Sequence, residues 1–519
     1  MVPKSLSRLP SLRSRGPCAP RDIRLLSTTP SKSTIQKVPL WVSGKEVFKS
    51  SAGTVTQKHT RTRQDSCEVV VAGEKETSEA AEISREAFQA WRGVSAWERR
   101  AILRKVPSLM QERFEEWKGL LLADTVYGEV MLGVDLDNAL HLVDGAAETA
   151  VSNEGSLPPT VDGSLGLVSR VPYGPVLSIP AFNFPLCLAM RSIVYPLASG
   201  NTVILRGSSV IPQASAFLGP LFADAGIPEG VLQILNFSEH DAGARTSQLI
   251  ADDNVRFVNF TGSTKLGKNL ARQCGEHLKP SVLELGGKAP ALILPSADLE
   301  LAANNVLFGA FLNSGQICMS TERVIVHQDV AAEFESILKR EAEKADWNGG
   351  MELVRSSVVE TAQAMAKQAI ESGARIVFSA PESSTDSLNA VRPTIFTDLP
   401  STATILNEES FAPFFTLQTA PDIPSMIRLA NSHETGLSSS VFGQGLDAIE
   451  VAEKMEMGTV HINGMSPHDQ HVLPHGGTKN SGWGRFNGKS AVESFTQMKV
   501  IRIDRQKTRY PLSALYAGL

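Results

Sequence analysis

Val255-Arg256-Phe257-Val258-Asn259-Phe260-Thr261-Gly262-Ser263-Thr264-Lys265-Leu266-Gly267 is the stretch on which the fold turns. An apolar run of strand length ends in a glycine turn and opens a helix that continues through Leu270 and Gln273. Glycine lets backbone N–H groups approach a phosphate, and the helix N-terminus adds a favourable partial positive charge. The spacing is not GxGxxG, so alone the turn reads equally well as a plain strand-to-helix connection. Upstream, Pro175-Val176-Leu177-Ser178-Ile179, Thr202-Val203-Ile204-Leu205 and Val231-Leu232-Gln233-Ile234-Leu235 are also short apolar runs followed by turn residues and helix-like segments. Strands alternating with helices require right-handed crossovers, which predicts α/β architecture with a parallel sheet. Downstream, Ala291–Leu294, Arg323–Val326, Arg375–Phe378 and Ser439–Gly443 are enough for a second α/β domain. From Glu74 to about Leu122, Ala80, Ile83, Phe88 and Trp91, then Ala101, Ile102, Val106, Met110 and Phe114, recur at three- and four-residue steps. That spacing predicts cover helices.

The chain has 519 residues, enough for two or three domains. Hydrophobic residues at 42%, charged at 20% and 40 glycines describe an enzyme-sized globular protein and exclude disordered, collagen-like and disulfide-stapled classes. A formal net charge of −5 argues against nucleic-acid binding. The five cysteines are scattered, without metal-ligand spacing, so no metal site and a reducing compartment are expected. The first 40 residues differ: eight Lys or Arg, seven serines and one acid, Asp22, against 42 basic and 54 acidic residues in the rest. Such a leader resembles an organelle presequence, and Arg24-Leu25-Leu26-Ser27-Thr28-Thr29 resembles a matrix-processing site. Residues 1–30 are thus expected to be a mitochondrial presequence cleaved near Ser27; if the leader is no address, the protein is cytoplasmic. The uncharged stretch 171–190 has the length of a membrane span, but Pro172, Pro175, Pro180 and Pro185 predict buried strand and loop there.

Two further motifs carry chemistry. Leu283-Glu284-Leu285-Gly286-Gly287-Lys288 sets an acid at the end of an apolar run, and Asn313-Ser314-Gly315-Gln316-Ile317-Cys318-Met319 sets a thiol between bulky apolar neighbours. Each alone reads as structural, since a lone cysteine is usually a small buried hydrophobe. Together, and with Ala181-Phe182-Asn183-Phe184-Pro185, Gly200-Asn201-Thr202-Val203-Ile204-Leu205-Arg206, Thr261-Gly262-Ser263-Thr264 and Glu408-Glu409-Ser410-Phe411-Ala412-Pro413, they make the body resemble the aldehyde dehydrogenase superfamily. Gly315 to Arg323, His461-Ile462-Asn463-Gly464 and Gly484-Arg485-Phe486 look like its salicylaldehyde, vanillin and benzaldehyde dehydrogenase branch.

The resemblance implies Cys318 as nucleophile, Asn183 with the Cys318 backbone N–H as oxyanion donors, and Glu284 as the base that hydrolyses the thioester. An apolar channel is expected to raise the Glu284 pKa toward working pH. NAD or NADP is the implied cofactor: Gly262, Ser263 and Gly267 form its pyrophosphate turn, Glu409 faces the nicotinamide ribose, and Phe411 faces the nicotinamide. Arg206 and Ser209 depart from the family's usual Lys-Pro-Ser-Glu, removing the acid that typically holds the adenosine ribose and an argument for NAD over NADP. The implied substrate slot comprises Phe184, Leu188, Arg191, Ile317 and Met319, suited to an aromatic aldehyde. Arg191 either bonds an ortho substituent or stacks on a ring, or else pairs with a buried acid or faces the cofactor cleft. Ser192 stands where many relatives carry a lysine assigned to proton relay. His475 stands where relatives usually have phenylalanine, so it touches substrate, titrates, or simply packs.

The expected architecture is an aldehyde dehydrogenase-like fold. It has a Rossmann-like cofactor domain over 41–152 and 173–284 and a catalytic domain over 285–484. A β arm from 153–172 and 495–519 is expected to join a homodimer or homotetramer, the alternating run Thr496–Ile503 extending a neighbour's sheet or forming an intrachain edge. Two competitors stand against an aromatic aldehyde dehydrogenase. A CoA-acylating semialdehyde dehydrogenase usually lacks the hydrolytic glutamate, and a catalytically silent relative would not need Cys318, Glu284 and Asn183 together.

Overall fold

The short runs of β-branched and aliphatic residues become the parallel strands of two sheets. The computed structural model describes residues 36–345, 347, 351–381, 387–505, 509 and 512–515. The expected presequence lies outside the described residues, as does part of the C-terminal tail. The first sheet has eight strands in the order Gly482–Trp483, Ser281–Glu284, Phe257–Thr261, Pro175–Ile179, Thr202–Arg206, Leu232–Leu235, Leu40–Val42, Lys45–Val47. Its five central strands are parallel and its flanking strands antiparallel. Successive strands run outward from Pro175–Ile179 first to one side, then from Phe257–Thr261 to the other. The order in which strands are added therefore reverses between those two parallel neighbours, and a crevice at such a switch point is where doubly wound sheets bind ligands.

The second sheet has seven strands, in the order Arg375–Ser379, Thr394–Thr397, Phe414–Ala420, Thr321–His327, Ala289–Ile293, Ser438–Phe442, Thr459–Ile462. All its pairings are parallel except that of Arg375–Ser379 with Thr394–Thr397. Leu285 to Lys288 carry the chain from the end of one sheet into the start of the other. Gly482–Trp483, placed by sequence in the catalytic half, pairs antiparallel with Ser281–Glu284 and closes the edge of the first sheet.

The helices obey local chemistry. The predicted cover region forms four, Glu74–Trp91, Ala96–Leu103, Val106–Glu112 and Phe114–Asp124. The uncharged stretch 171–190 is strand and loop only as far as Phe184. At Pro185 it turns into the helix Pro185–Ala198, because proline is tolerated at a first helical position, where its missing N–H is no loss. The buried Asp135 carboxylate accepts hydrogen bonds from the Leu186 and Cys187 N–H groups at 3.0 and 2.9 Å and so caps that helix. No helix among the described residues is long and apolar enough to cross a membrane.

Thr496–Ile503 pairs antiparallel with Leu165–Pro172 of the same chain. Met498 and Val500 on it remain 71% and 66% exposed.

Candidate active site

Glu284 ends its strand at the switch-point side of the first sheet, and its backbone carbonyl accepts from the Gly262 N–H at 3.0 Å. The glycines behind it are required by close approach: a Cβ at Gly286 would collide with the Glu409 carboxylate, and one at Gly287 with the Cys318 carbonyl. These two glycines bring three segments distant in sequence into contact. The Cys318 loop is fixed in the same way. Asn313 and Ser314 hold left-handed backbone, and Gly315, at φ +74, leaves no room for a Cβ against the Ala412 carbonyl. The Gln316 side chain anchors the loop, accepting from Val354 N–H at 2.9 Å and donating to the Asn313 carbonyl at 3.1 Å.

The Cys318 thiol donates to Glu284 Oε1 at 3.5 Å. Asn183, buried, donates its side-chain amide to the Gln316 carbonyl at 3.0 Å, two residues before the thiol. Its own backbone carbonyl accepts from Tyr127 and from Asn313 Nδ2. Only one amide hydrogen of Asn183 is used in the bond to Gln316.

Glu284 is not in the apolar channel expected for it. Arg191 Nη1 lies 3.0 Å from its Oε2, and His475 Nε2 lies 3.1 Å from its Oε1, without hydrogen-bond geometry. Asp469 pairs with Arg191 and lies 3.7 Å from His475 Nδ1. Asn487 Nδ2 in turn donates to Asp469 at 2.9 Å, and Tyr195 donates to Asn487 at 3.2 Å. Burial alone would raise the Glu284 pKa, but the His475 and Arg191 charges outweigh it and hold the carboxyl well below its ordinary value. For His475 burial opposes the charge, yet Asp469 and Glu284 prevail and raise its pKa. Burial, then the Glu284 and Glu409 carboxylates, push the Cys318 thiol well above its usual value. The group is a buried set of two acids and two bases with a protonated thiol at its edge.

The structure thus brings Cys318, Glu284, Asn183, Arg191 and His475 together. Arg191 is taken up by the two acids and stacks 5.5 Å from the Phe486 ring centroid. Ile317 is buried and Met319 half-buried on either side of the thiol, Leu188 is buried, and Phe184 packs against the core of the first half. Ser192 is buried with its hydroxyl bonded to the Ala189 carbonyl. Sequence reasoning missed Asp469, Asn487, Tyr127 and Asp135. No spacing rule marks them, and the acid between His468 and His471 was the sole local hint.

Along the crevice, Gly262 and Ser263 form the turn into the helix Thr264–Glu276, where the Ser263 hydroxyl accepts from Leu266 N–H at 3.4 Å. Gly267 is buried where a Cβ would collide with Leu285, so its smallness serves helix-to-strand packing. Glu409 is bonded by the Gly287 N–H at 3.3 Å, and burial with the Glu322 charge beside it pushes its pKa up to about 8. Phe411 meets Phe182 edge-on at 6.3 Å. Arg206 and Ser209 follow the strand beside the switch point, the Ser209 hydroxyl accepting from Arg355 Nη2 at 3.0 Å. A parallel sheet with a switch point, a glycine turn onto a helix start and the half-buried Glu409 carboxyl fit a nicotinamide dinucleotide. Among the described residues no cluster of His, Cys, Asp and Glu could hold a metal ion, and Cys67, Cys187, Cys274 and Cys318 are free thiols.

A dinucleotide-type sheet feeding a half-buried thiol paired with a carboxyl defines a thiol-dependent oxidoreductase. The chain belongs to the aldehyde dehydrogenase family, whose model matches residues 47–501. It is 34% identical over 484 residues to a vanillin dehydrogenase of Pseudomonas fluorescens, covering 92% of this chain and 99% of that one. It is 33% identical over 488 residues to a salicylaldehyde dehydrogenase of Pseudomonas putida, covering 92% and 100%. Among solved structures, a salicylaldehyde dehydrogenase from Pseudomonas putida G7 complexed with salicylaldehyde superposes with a TM-score of 0.87 at 33% identity, covering 92% of this chain and all of that one. The fold is that of the family, and the protein is an aldehyde dehydrogenase using NAD or NADP. These relatives are bacterial.

Proposed function

We propose that the protein oxidises aromatic aldehydes, of salicylaldehyde, vanillin or aromatic polyketide type, to carboxylic acids, with Cys318 as nucleophile. The observation that carries this reading is the Cys318 thiol within 3.5 Å of Glu284, with the Asn183 amide anchored two residues before the thiol. Similarity to vanillin, salicylaldehyde and benzaldehyde dehydrogenases supports the aromatic class. The thiol proton is lost to solvent, sulfur adds to the aldehyde carbon, and the oxyanion is received by the free Asn183 amide hydrogen and the Cys318 N–H. Gly262, Ser263, Glu409 and Phe411 would hold the nicotinamide dinucleotide, which would supply the hydride acceptor; the Cys318 adduct, having lost hydride, is a thioester. Glu284 then takes a proton from the water that attacks the thioester, releasing the free acid and the thiol.

The cations around Glu284 define when it can do so. Arg191 and His475 hold its carboxylate ionised but weakly basic, and loss of the His475 charge strengthens the base. The same carboxyl beside the thiol favours hydrolysis over transfer to CoA.

Initial rates of nicotinamide reduction with benzaldehyde, salicylaldehyde, vanillin, hexanal and succinic semialdehyde test the class. Preference for ring aldehydes supports it, and preference for aliphatic aldehydes overturns the aromatic reading. The exposed outer edge of Thr496–Ile503 supports assembly into a homodimer or homotetramer, which light scattering of the purified protein checks. The basic leader supports a mitochondrial address, and loss of organelle import on deleting residues 1–30 checks that.

A further inference from the structure

The strand Thr202–Arg206 lies next to Pro175–Ile179, one strand from the switch point. In doubly wound sheets the adenosine ribose is read beyond the end of such a strand: an acid there bonds a 2′-hydroxyl, while an arginine accommodates a 2′-phosphate. Here the strand runs out into Arg206-Gly207-Ser208-Ser209-Val210-Ile211-Pro212-Gln213, with no carboxylate. Two cations stand there instead.

Arg355 begins the helix Ser356–Glu371 in the other half of the chain and reaches across to donate to the Ser209 hydroxyl at 3.0 Å. Its side chain is 40% exposed, and its acidic neighbour, Glu239 at 3.6 Å, is 78% exposed. A pair so open to solvent is worth little and yields to a stronger anion. Arg206 is half-buried and has no hydrogen-bond or ion-pair partner among the described residues; burial lowers its pKa. A partly desolvated guanidinium without a counter-charge is costly unless an anion arrives.

We propose that Arg355, which bonds the Ser209 hydroxyl, and Arg206, at the end of the strand that leads to Ser209, read the adenosine 2′-phosphate and make this enzyme select NADP over NAD. The proposal rests on the reading of the chain as a nicotinamide-dependent dehydrogenase. Guanidinium groups present forked donors that match phosphate oxygens, and a dianion neutralises both cations where a 2′-hydroxyl neutralises neither. Arg355 is then a specificity-determining residue contributed by the half of the protein that also carries the thiol.

The test is calorimetric titration of the full chain, without aldehyde, with NADP and with NAD. The wild type is expected to bind NADP more tightly. Arg355→Ala and Arg355→Gln, the latter able to keep a bond to Ser209 without the charge, are both expected to weaken NADP roughly tenfold to a hundredfold while leaving NAD within about twofold. Adenosine 2′,5′-bisphosphate should compete with NADP in the wild type far better than 5′-AMP, and should lose that advantage in both variants. Equal wild-type affinities for the two dinucleotides, or unchanged NADP affinity in both variants, would overturn the proposal and leave the dehydrogenase reading intact. Failure of the wild type to bind either dinucleotide would overturn the dehydrogenase reading itself, and the proposal with it.

Discussion

Two buried charge clusters lie on either side of the Glu284-to-Lys288 crossover, and they are built differently. In the first, Lys288 pairs with Glu322, whose carboxylate also accepts the Ser410 N–H at 3.0 Å, and neither side chain leaves a buried atom without a partner. In the second, Arg191, His475, Glu284 and Asp469 balance in charge, yet Arg191 Nε and His475 Nε2 lack hydrogen-bond partners and a thiol stands at the edge. A satisfied buried pair has one good arrangement and serves as scaffold, here holding the segment that carries Glu409 and Phe411. An incompletely satisfied cluster has room to rearrange, which a residue that must both accept and release a proton requires.

The largest effect expected in the incompletely satisfied cluster comes from its thiol. Cys318→Ala should abolish turnover while dinucleotide binding stays within about a few-fold, because a nucleophile has no substitute but contributes little to cofactor affinity. Residual aldehyde oxidation in steady-state assays would remove Cys318 as nucleophile. In the satisfied pair, Lys288→Met should leave Glu322 buried and unpaired and cost roughly 3–5 kcal/mol of stability, read from urea unfolding. A change below about 1 kcal/mol would show that the pair is not the scaffold described.

Smaller effects separate the members of the reactive cluster. His475 has a raised folded pKa, so its contribution to stability is full below about pH 6.5 and is lost as pH rises through the folded value. Over the same rise Glu284 loses one of its two cationic neighbours, and the rate of thioester hydrolysis should increase. His475→Phe should flatten that limb of the pH–rate profile, and its melting-temperature deficit relative to wild type should shrink as pH rises. An unchanged profile would mean that His475 only packs. Asp469→Asn should have the mildest effect, moving the limb to lower pH, because it removes the acid that does most to hold the His475 charge.

The fold was legible in the sequence because its determinants are local. Apolar runs such as Thr202–Leu205 are too short for helices, and the turns after them carry glycine or serine. The helix from Pro185 was not legible because proline was taken as a breaker, whereas its cap, Asp135, lies 50 residues upstream and is visible only in three dimensions. Likewise, Trp483 reads as part of the second half until strand pairing places it on the first sheet. At the site, Cys318, Glu284 and Asn183 could be picked out because their motifs, taken together, resemble those of one family, and the glycines beside Glu284 and Cys318 are required by close approach. Asp469 could not: an acid takes its role there from Arg191, on a helix far away in the sequence, and from His475 further along the same connection. The surroundings of Glu284 were misjudged for the same reason, since Val282, Leu283 and Leu285 are apolar in sequence while the side chains that reach Glu284 are charged.

The division of labour between Cys318 and Glu284 is tested most directly by stopped-flow absorbance of the reduced nicotinamide after mixing Glu284→Gln with salicylaldehyde and oxidised cofactor. The account predicts a burst stoichiometric with active sites, followed by turnover slowed by roughly a hundredfold or more, since only thioester hydrolysis needs the carboxylate as base. Absence of the burst, with hydride transfer itself slowed, would contradict that assignment and make Glu284 the group that activates the thiol.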